Sequence, residues 1–177
     1  MQVDIKELTN NELTLHFFRH FRRFQQVTNC WRKENGTWQL TFDPFVEDWG
    51  DAEKQVLLTY LANTLQTGGI VLAAMVGEKL AGFSSLEGQL FGPNNEYLQL
   101  SSLHTSYEYR GNGIGKQLFA AMASKAKHMG AAKLYIGAHP AEETMLFYKK
   151  QRCQPAQYIH PPIHDPDPDD FQLEYSL

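Results

Sequence analysis

The stretch Tyr107-Glu108-Tyr109-Arg110-Gly111-Asn112-Gly113-Ile114-Gly115-Lys116 decides how the rest of this 177-residue chain is interpreted. An apolar, strand-like run precedes it at 97–105, and a run of helical periodicity follows at 114–129. A strand that leads through a Gly-rich turn into a helix directs backbone N–H groups at a phosphate, because glycine has no Cβ to block close approach and the helix N-terminus carries partial positive charge. The sequence therefore predicts a phosphate-binding turn at this position.

Two well-known phosphate-binding turns do not fit the stretch. A Walker loop needs Ser or Thr after its Gly-Lys pair, and here Lys116 is followed by Gln117. A dinucleotide-binding turn needs two residues between its second and third glycines, and Gly115 comes one residue early. A diphosphate cradle formed by the main-chain N–H groups of Gly111 to Lys116 does fit, and we call this segment the cradle.

The strand before the cradle changes phase. Leu98 and Leu100 share one face by alternation, whereas Leu103 falls on the opposite parity. A β-bulge near Ser101-Ser102 would account for this change, because an extra residue re-aims everything after it. A regular strand that is buried on both faces would account for it equally well, so both interpretations stay open.

Local patterns predict the remaining elements. Apolar residues recur at helical spacing in an N-terminal helix, and again in a helix that begins at Asp51 and ends at Gly68-Gly69. The predicted apolar faces are Leu13, Phe17, Phe21 and Phe24 in the first helix, and Ala52, Val56, Tyr60, Leu61 and Leu65 in the second. Between the helices, Glu34-Asn35-Gly36 is typical of a hairpin turn. The hairpin strands are predicted at 27–33 and 37–42, the second ended by Asp43-Pro44.

The later part of the chain alternates strands and helices. Strands are predicted at 70–76, 80–90, 96–105, 133–138, 154–159 and 171–175, and helices at 114–129 and 141–150. An antiparallel meander followed by strand–helix–strand–helix and terminal strands predicts an α+β fold with a mixed, mostly antiparallel central sheet and flanking helices.

Composition narrows the function classes. A net charge of -4 argues against nucleic acid as a partner. The two cysteines, Cys30 and Cys153, are too few for a disulfide framework and lack metal-site spacing, which favours a reducing, cytoplasmic setting. The longest apolar run, Ile70 to Val76, is too short to span a membrane, and the first residues do not resemble a signal peptide. The prolines of 155–170 favour an extended chain, along which the His and Asp side chains would not converge on one point. We therefore predict no metal site.

A second segment makes the interpretation specific. It runs Ala141-Glu142-Glu143-Thr144-Met145-Leu146-Phe147-Tyr148-Lys149-Lys150-Gln151-Arg152-Cys153. Together with Arg110-x-x-Gly113-x-Gly115 and the preceding run from Leu103, it resembles the GNAT superfamily of N-acetyltransferases, in its pyrophosphate motif and its later Phe-Tyr helix. The chain departs from the family at Gln151-Arg152-Cys153, where many members have a glycine.

The resemblance implies a role for each matching residue. Arg110 and the N–H groups of Gly111, Asn112, Gly113, Ile114, Gly115 and Lys116 would bind the pyrophosphate of acetyl-CoA, and Leu103, His104 and Thr105 would lie along its acyl arm. Tyr148 would protonate the leaving thiolate. Glu96 is the first candidate for the general base, followed by Glu87 and His104.

The implied activity is acetyl transfer from acetyl-CoA, without a metal, to a primary amine of a small molecule or peptide by direct attack. A single domain over 1–177 would comprise an acceptor-side region (1–68), an acetyl-CoA-binding core (69–155) and a loop with a terminal strand (156–177). A non-catalytic acyl-CoA-binding or sensor module is the alternative, and a nucleotide-binding domain is a third possibility. Neither a membrane nor nucleic acid is an expected partner, and a homodimer is left open.

Overall fold

A seven-stranded sheet runs through the computed structural model, which describes residues 1–177. The elements follow in the order β1 (Asp4–Glu7), β2 (Phe24–Glu34), β3 (Thr37–Asp48), α1 (Asp51–Gln66), β4 (Ile70–Val76), β5 (Lys79–Leu86), β6 (Tyr97–Thr105), α2 (Ile114–His128), β7 (Lys133–Ala138), α3 (Glu142–Lys150), β8 (Gln154–Pro155), α4 (Pro161–His164) and β9 (Phe171–Ser176). None of the helices combines the length and apolar composition needed to cross a bilayer.

The sheet is mixed and mostly antiparallel. Its strand order is β1-β4-β5-β6-β7-β9-β8, and β2 and β3 form a separate hairpin. Only β6 and β7 are parallel, and they pair over just three residues, Tyr97–Gln99 with Lys133–Tyr135. Beyond Gln99 the two strands diverge, which leaves one side of β6 without a neighbouring strand. We call this side, from Leu100 to Thr105, the open edge.

A β-bulge lies at the start of the open edge. Ser85 of β5 pairs with Ser102, but the next residue, Leu86, pairs with Leu100, so that Ser101 is the extra residue. The bulge restores the phase of the strand, because Leu103 then packs against the same core as Leu100. Of the two interpretations that the sequence left open, the β-bulge is the one that forms, and the regular strand buried on both faces does not.

Two cores cover the two faces of the sheet. The larger core lies under α2, and the smaller one lies under α1 and the N-terminal segment. Along β4, Leu72 and Ala74 face α2 whereas Val71 and Ala73 face α1. Burial on both faces explains why β4 is continuously apolar.

The predicted hairpin forms but extends further than expected. Asn35 and Gly36 take positive φ values of 49° and 82°, as a tight hairpin turn requires. Asp43-Pro44 does not end the second strand as predicted, since β3 continues to Asp48. Pairing shifts register opposite Thr28, and Pro44 sits in this irregularity, where its missing N–H costs no ladder hydrogen bond.

The predicted N-terminal helix is wrong. A 3-10 turn at Asn10–Glu12 is followed by turns and not by a regular helix, and Phe24 already belongs to β2. Aromatic and His residues have modest helix propensity, and burying Phe18 and Phe21 against Phe83 needs only one turn of chain. Tertiary packing thus decides the conformation of this segment.

Two further predictions need correction. The inner face of α1 is formed by Leu57, Leu58 and Leu61, whereas Val56 and Tyr60 are exposed. The strand predicted at 154–159 is only the two-residue β8, after which the chain passes over β9 and β7, where the Gln157 N–H donates to Glu174 and the His160 N–H to Tyr135 Oη. This crossing segment, residues 156–165, includes α4 and is here called the strap.

Candidate active site

The cradle presents a row of unpaired donors. None of the N–H groups from Gly111 to Lys116 donates a hydrogen bond within the protein, and the helical pattern starts only at Gln117, whose N–H donates to the Gly113 carbonyl over 3.1 Å. Gly111 and Gly113 hold φ values of 79° and 78°, a region that residues with a Cβ rarely adopt. Successive amides at a helix N-terminus form a concave site for an anion with several oxygens.

The open edge of β6 leads directly to the cradle. The Ser106 N–H donates to the Ala81 carbonyl of β5 over 2.8 Å. Because hydrogen-bonding direction alternates along a strand, Leu103 and Thr105 turn their main-chain groups away from β5 and toward the open edge. The Arg110 Nε then donates to the Thr105 carbonyl over 3.3 Å, which ties the edge to the turn. An extended polar arm that ends in a diphosphate fits this arrangement.

Tyr148 belongs to the core under α2, the same core that buries Leu100 at the start of the open edge. Its ring contacts Phe119 of α2 and Phe147 of its own helix. Helix α3 packs so closely on α2 that a Cβ at Gly115 would lie 3.2 Å from the Phe147 ring. The Tyr148 hydroxyl makes no hydrogen bond within the protein, and burial, with a smaller contribution from Cys153, raises the pKa of this phenol above its usual range. Tyr148 is therefore neutral at physiological pH, and its hydroxyl has no partner within the protein.

Glu96, the first candidate for the base, lies away from these groups. Its carboxylate accepts the Asn94 N–H over 2.8 Å in the turn before β6. It precedes Ser101 by five residues, about 17 Å along the strand at about 3.3 Å per residue. The structure thus does not bring Glu96 to the bulge, because strand geometry holds it at the far end of β6.

Glu87, the second candidate, lies beside the bulge. Its Oε1 accepts hydrogen bonds from Ser101 Oγ over 2.5 Å and from Thr64 Oγ1 over 2.9 Å. Ser101 Oγ also lies 2.8 Å from Ser85 Oγ. These hydroxyls hold the carboxylate in one orientation at the α1 side of the open edge. The sequence could not reveal that these hydroxyls bind Glu87, because the β-bulge and the contact with α1 bring together residues that are far apart in the chain.

A cavity of about 390 Å³ opens in front of Glu87, and we call it the α1 cavity. It lies between α1 and the bulged part of β5 and β6. Its lining residues are Leu57, Tyr60, Leu61, Asn63, Thr64, Ser85, Glu87, Gln99, Ser101 and Ser102.

His104 is not suited to act as a base. Its ring packs between Trp49 and Phe83, with centroids 5.3 and 5.2 Å away. Burial, together with the positive charges of Arg23 and Arg110, lowers the pKa of His104 to about 3. The imidazole is therefore neutral and only weakly basic at physiological pH, which argues against His104 as the third candidate for the base.

The His- and Asp-rich segment 155–170, of which the strap is part, holds no cluster of metal ligands. Its only such pair is His164 with Asp165, which are neighbours in the chain at 2.9 Å. No three His, Cys, Asp or Glu side chains converge anywhere in the structure.

Comparison with solved structures shows the same fold. Nourseothricin acetyltransferase superposes with a TM-score of 0.73 at 13% identity, with 99% of each chain covered. A Bacillus anthracis str. Ames protein assigned as a streptothricin acetyltransferase, in complex with acetyl-CoA, also has a TM-score of 0.73, at 16% identity over 100% of this chain and 99% of that one. The PaiA N-acetyltransferase of Thermoplasma acidophilum, in complex with CoA, has a TM-score of 0.63 at 16% identity over the whole of both chains. The predicted fold is confirmed.

Comparison of sequences identifies the family. No curated protein sequence matches the chain significantly. The family model described as Acetyltransferase (GNAT) family matches residues 34–152, more than half of the chain, including the cradle and Tyr148. This chain therefore belongs to the GNAT family of acetyltransferases.

Proposed function

We propose that this GNAT acetyltransferase moves the acetyl group of acetyl-CoA to a primary amine of a small molecule or peptide by direct attack. One observation carries the proposal: the unpaired N–H groups of Gly111 to Lys116 lie at the end of the open edge of β6. This arrangement suits a ligand with a diphosphate at one end and an extended amide-containing arm, as CoA has.

The donor would bind along β6. The cradle N–H groups would hold the pyrophosphate, with Arg110 leading the turn, and main-chain groups of Leu103 and Thr105 would pair with the arm. An N–H near the bulge would polarise the thioester carbonyl and stabilise the negative charge that develops on its oxygen.

The acid and the base would act from opposite sides of the open edge. Tyr148 belongs to the core on the α2 side, and Glu87 lines the cavity on the α1 side. The amine nitrogen would attack the carbonyl carbon, forming the N–C bond while the C–S bond breaks. Glu87 would take the proton that the amine loses, and the Tyr148 hydroxyl would protonate the departing thiolate. We therefore assign the role of general base to Glu87, whereas the sequence interpretation ranked Glu96 first for this role.

The test combines binding with turnover. We expect CoA and acetyl-CoA to raise the melting temperature, and ATP and NAD to leave it unchanged, because binding to the native state alone stabilises it. Acetyl-CoA with a panel of polyamines, aminoglycosides, amino acids and peptides should release free thiol in an amine-dependent way. Tight acetyl-CoA binding without turnover across the panel would favour the sensor module, and protection by ATP or NAD alone would favour a nucleotide-binding domain.

A further inference from the structure

The α1 cavity is lined by a single carboxylate. Glu87 is its only ionisable side chain apart from the phenol of Tyr60, and no Lys, Arg or His lines it. Its other polar groups are neutral amides and hydroxyls: Asn63, Thr64, Ser85, Gln99, Ser101 and Ser102. A ligand in this cavity meets a single negative charge surrounded by neutral hydrogen-bonding groups.

Glu87 has one oxygen free to bind a ligand. Its Oε1 is occupied by the hydroxyls of Ser101 and Thr64, whereas its Oε2 makes no hydrogen bond within the protein. Because the Oε1 bonds fix the carboxylate, Oε2 is a preoriented acceptor for an ammonium group. Tyr60, which is 69% exposed on α1, adds an aromatic ring that attracts a cation.

A carboxylate on the acceptor would bind poorly here. It would meet the negative charge of Glu87 with no cation in the cavity to compensate, and such an unpaired like charge discriminates against a ligand. The volume, about 390 Å³, lies near the lower end of the range for small-molecule pockets, which favours a compact acceptor.

We propose that the acceptor of this enzyme is a small cationic amine, rich in hydroxyl or further amino groups and lacking a carboxylate, which binds in the α1 cavity with its ammonium at Glu87 and its other polar groups at the neutral lining. This inference rests on the proposed acetyl transfer, and it narrows the acceptor by excluding amino acids and acidic peptides.

The test uses pairs of amines that differ only by a carboxylate. 1,5-Diaminopentane is compared with lysine, and ethanolamine with serine, each with saturating acetyl-CoA. We expect kcat/KM to be at least about tenfold higher for the amine without the carboxylate in both pairs, roughly the effect of one unfavourable charge contact. Equal values, or a preference for lysine and serine, would overturn the proposal.

A matched pair of variants locates the effect. Asn63→Lys places a cation at the cavity, whereas Gln55→Lys places the same charge two turns earlier on α1, on an exposed residue outside the cavity. Asn63→Lys should lower kcat/KM for 1,5-diaminopentane at least about fivefold, because the added charge repels the ammonium. It should also reduce the preference for 1,5-diaminopentane over lysine, because the added charge attracts the carboxylate of lysine. Gln55→Lys should change neither value, and equal effects of the two variants would contradict the assignment of the cavity.

A binding measurement separates this inference from the proposed activity. Calorimetric titration of 1,5-diaminopentane and of lysine into the CoA-saturated protein reports acceptor preference without turnover. Selective binding of the diamine that is lost in Asn63→Lys supports the cavity assignment, whether or not thiol is released. If no thiol is released, the proposed transfer activity is wrong while the cavity assignment still holds. Absence of diamine binding, or equal binding of lysine, overturns the inference whatever the turnover.

Discussion

At the scale of single residues, Tyr148 and Glu87 differ in how they are held. Tyr148 is fixed by packing and its hydroxyl has no partner within the protein, whereas the Glu87 carboxylate is fixed by two hydroxyls. A group without a partner can be removed with little structural cost, because no other polar group is left unsatisfied. Removal of the Tyr148 hydroxyl is therefore a clean test of the acid, whereas a test of the base must keep an accepting oxygen at position 87.

Tyr148→Phe removes the proposed acid and keeps the ring. We expect kcat to fall about 10²- to 10⁴-fold, the usual contribution of general acid–base catalysis, while the melting temperature and the affinity for CoA stay unchanged. Steady-state kinetics and thermal unfolding of the purified variant check this. A variant with normal kcat would remove Tyr148 from the mechanism.

Glu87→Gln removes the proposed base and keeps an oxygen that accepts the Ser101 and Thr64 hydrogen bonds. We expect a similar fall in kcat, about 10²-fold or more, with an unchanged KM for acetyl-CoA. Glu96→Gln is the matched control, because Glu96 contacts Asn94 at the far end of β6, and it should retain kcat. Loss of activity in Glu96→Gln with normal activity in Glu87→Gln would restore the original assignment.

The buried His104 should make the stability of the protein depend on pH. Its folded pKa of about 3 lies below the unfolded value of about 6.5, so between these values the unfolded chain binds more protons. The stability that neutral His104 contributes is therefore fully present above about pH 6.5 and is lost as the pH falls toward 3. His104→Phe keeps the contacts with Trp49 and Phe83 but cannot titrate. Urea unfolding at pH 7 and pH 4.5 should show a smaller loss of stability in the variant than in the wild type, and equal losses would contradict the shifted pKa.

At the scale of elements, the cradle and the β4–β5 turn offer a matched comparison. Gly113 and Gly77 both have positive φ, 78° and 58°, and a Cβ at either position would meet no atom within 4 Å. Alanine at each should cost about 1–2 kcal/mol of stability through backbone strain alone. Only Gly113→Ala should also raise the KM for acetyl-CoA, since only that strain tilts amides that bind the cosubstrate. An equal KM in the two variants would argue against the cradle.

Elements with local signals were predictable from the sequence. The Asn35-Gly36 turn, the apolar β4 and the Gly-flanked α2 each depend on neighbours in the chain. The alternation between Leu100 and Leu103 pointed to an irregularity in β6, but only the pairing of β5 with β6 decides between a bulge and a regular buried strand. The N-terminal segment was not predictable, because the burial of Phe18 and Phe21 against β5 outweighs a helical pattern.

The same distinction applies to the candidate site. The cradle is a continuous stretch, so its residues could be named from the sequence. Glu87 could not be placed above Glu96, because the ranking depends on the pairing of β5 with β6 and on the contact with Thr64 of α1. The roles of all these residues stay predictions until the variants are measured.

At the scale of the whole molecule, one network of hydrogen bonds attaches the strap to the central sheet. Glu174 of β9 accepts hydrogen bonds from Tyr97 Oη over 2.6 Å, from Lys133 Nζ over 2.8 Å and from the Gln157 N–H over 3.1 Å. Burial alone would raise the pKa of Glu174, but these hydrogen bonds outweigh it and the pKa is lowered. The network joins β6, β7, β9 and the strap, so it should contribute to global stability.

Glu174→Gln tests this network. The change leaves the Lys133 ammonium, only 22% exposed, without its anion, and we expect a loss of about 2–4 kcal/mol. Asp43→Asn, which breaks the more exposed Arg32–Asp43 pair, should cost under about 1 kcal/mol. Chemical denaturation of both variants provides the comparison, and similar losses would mean that the network is not a structural anchor.

The central claim, direct transfer from acetyl-CoA to an amine, is tested most directly by product stoichiometry. The enzyme is mixed with acetyl-CoA, with and without 1,5-diaminopentane and each amine of the panel above, and the thiol, the amine product and the intact protein are quantified by mass spectrometry. The account predicts N-acetylated diamine and free CoA in equal amounts, formed only when the amine is present, and a protein of unchanged mass. An acetylated protein formed from acetyl-CoA alone, or acetyl-CoA that stays intact with every amine supplied, would contradict it.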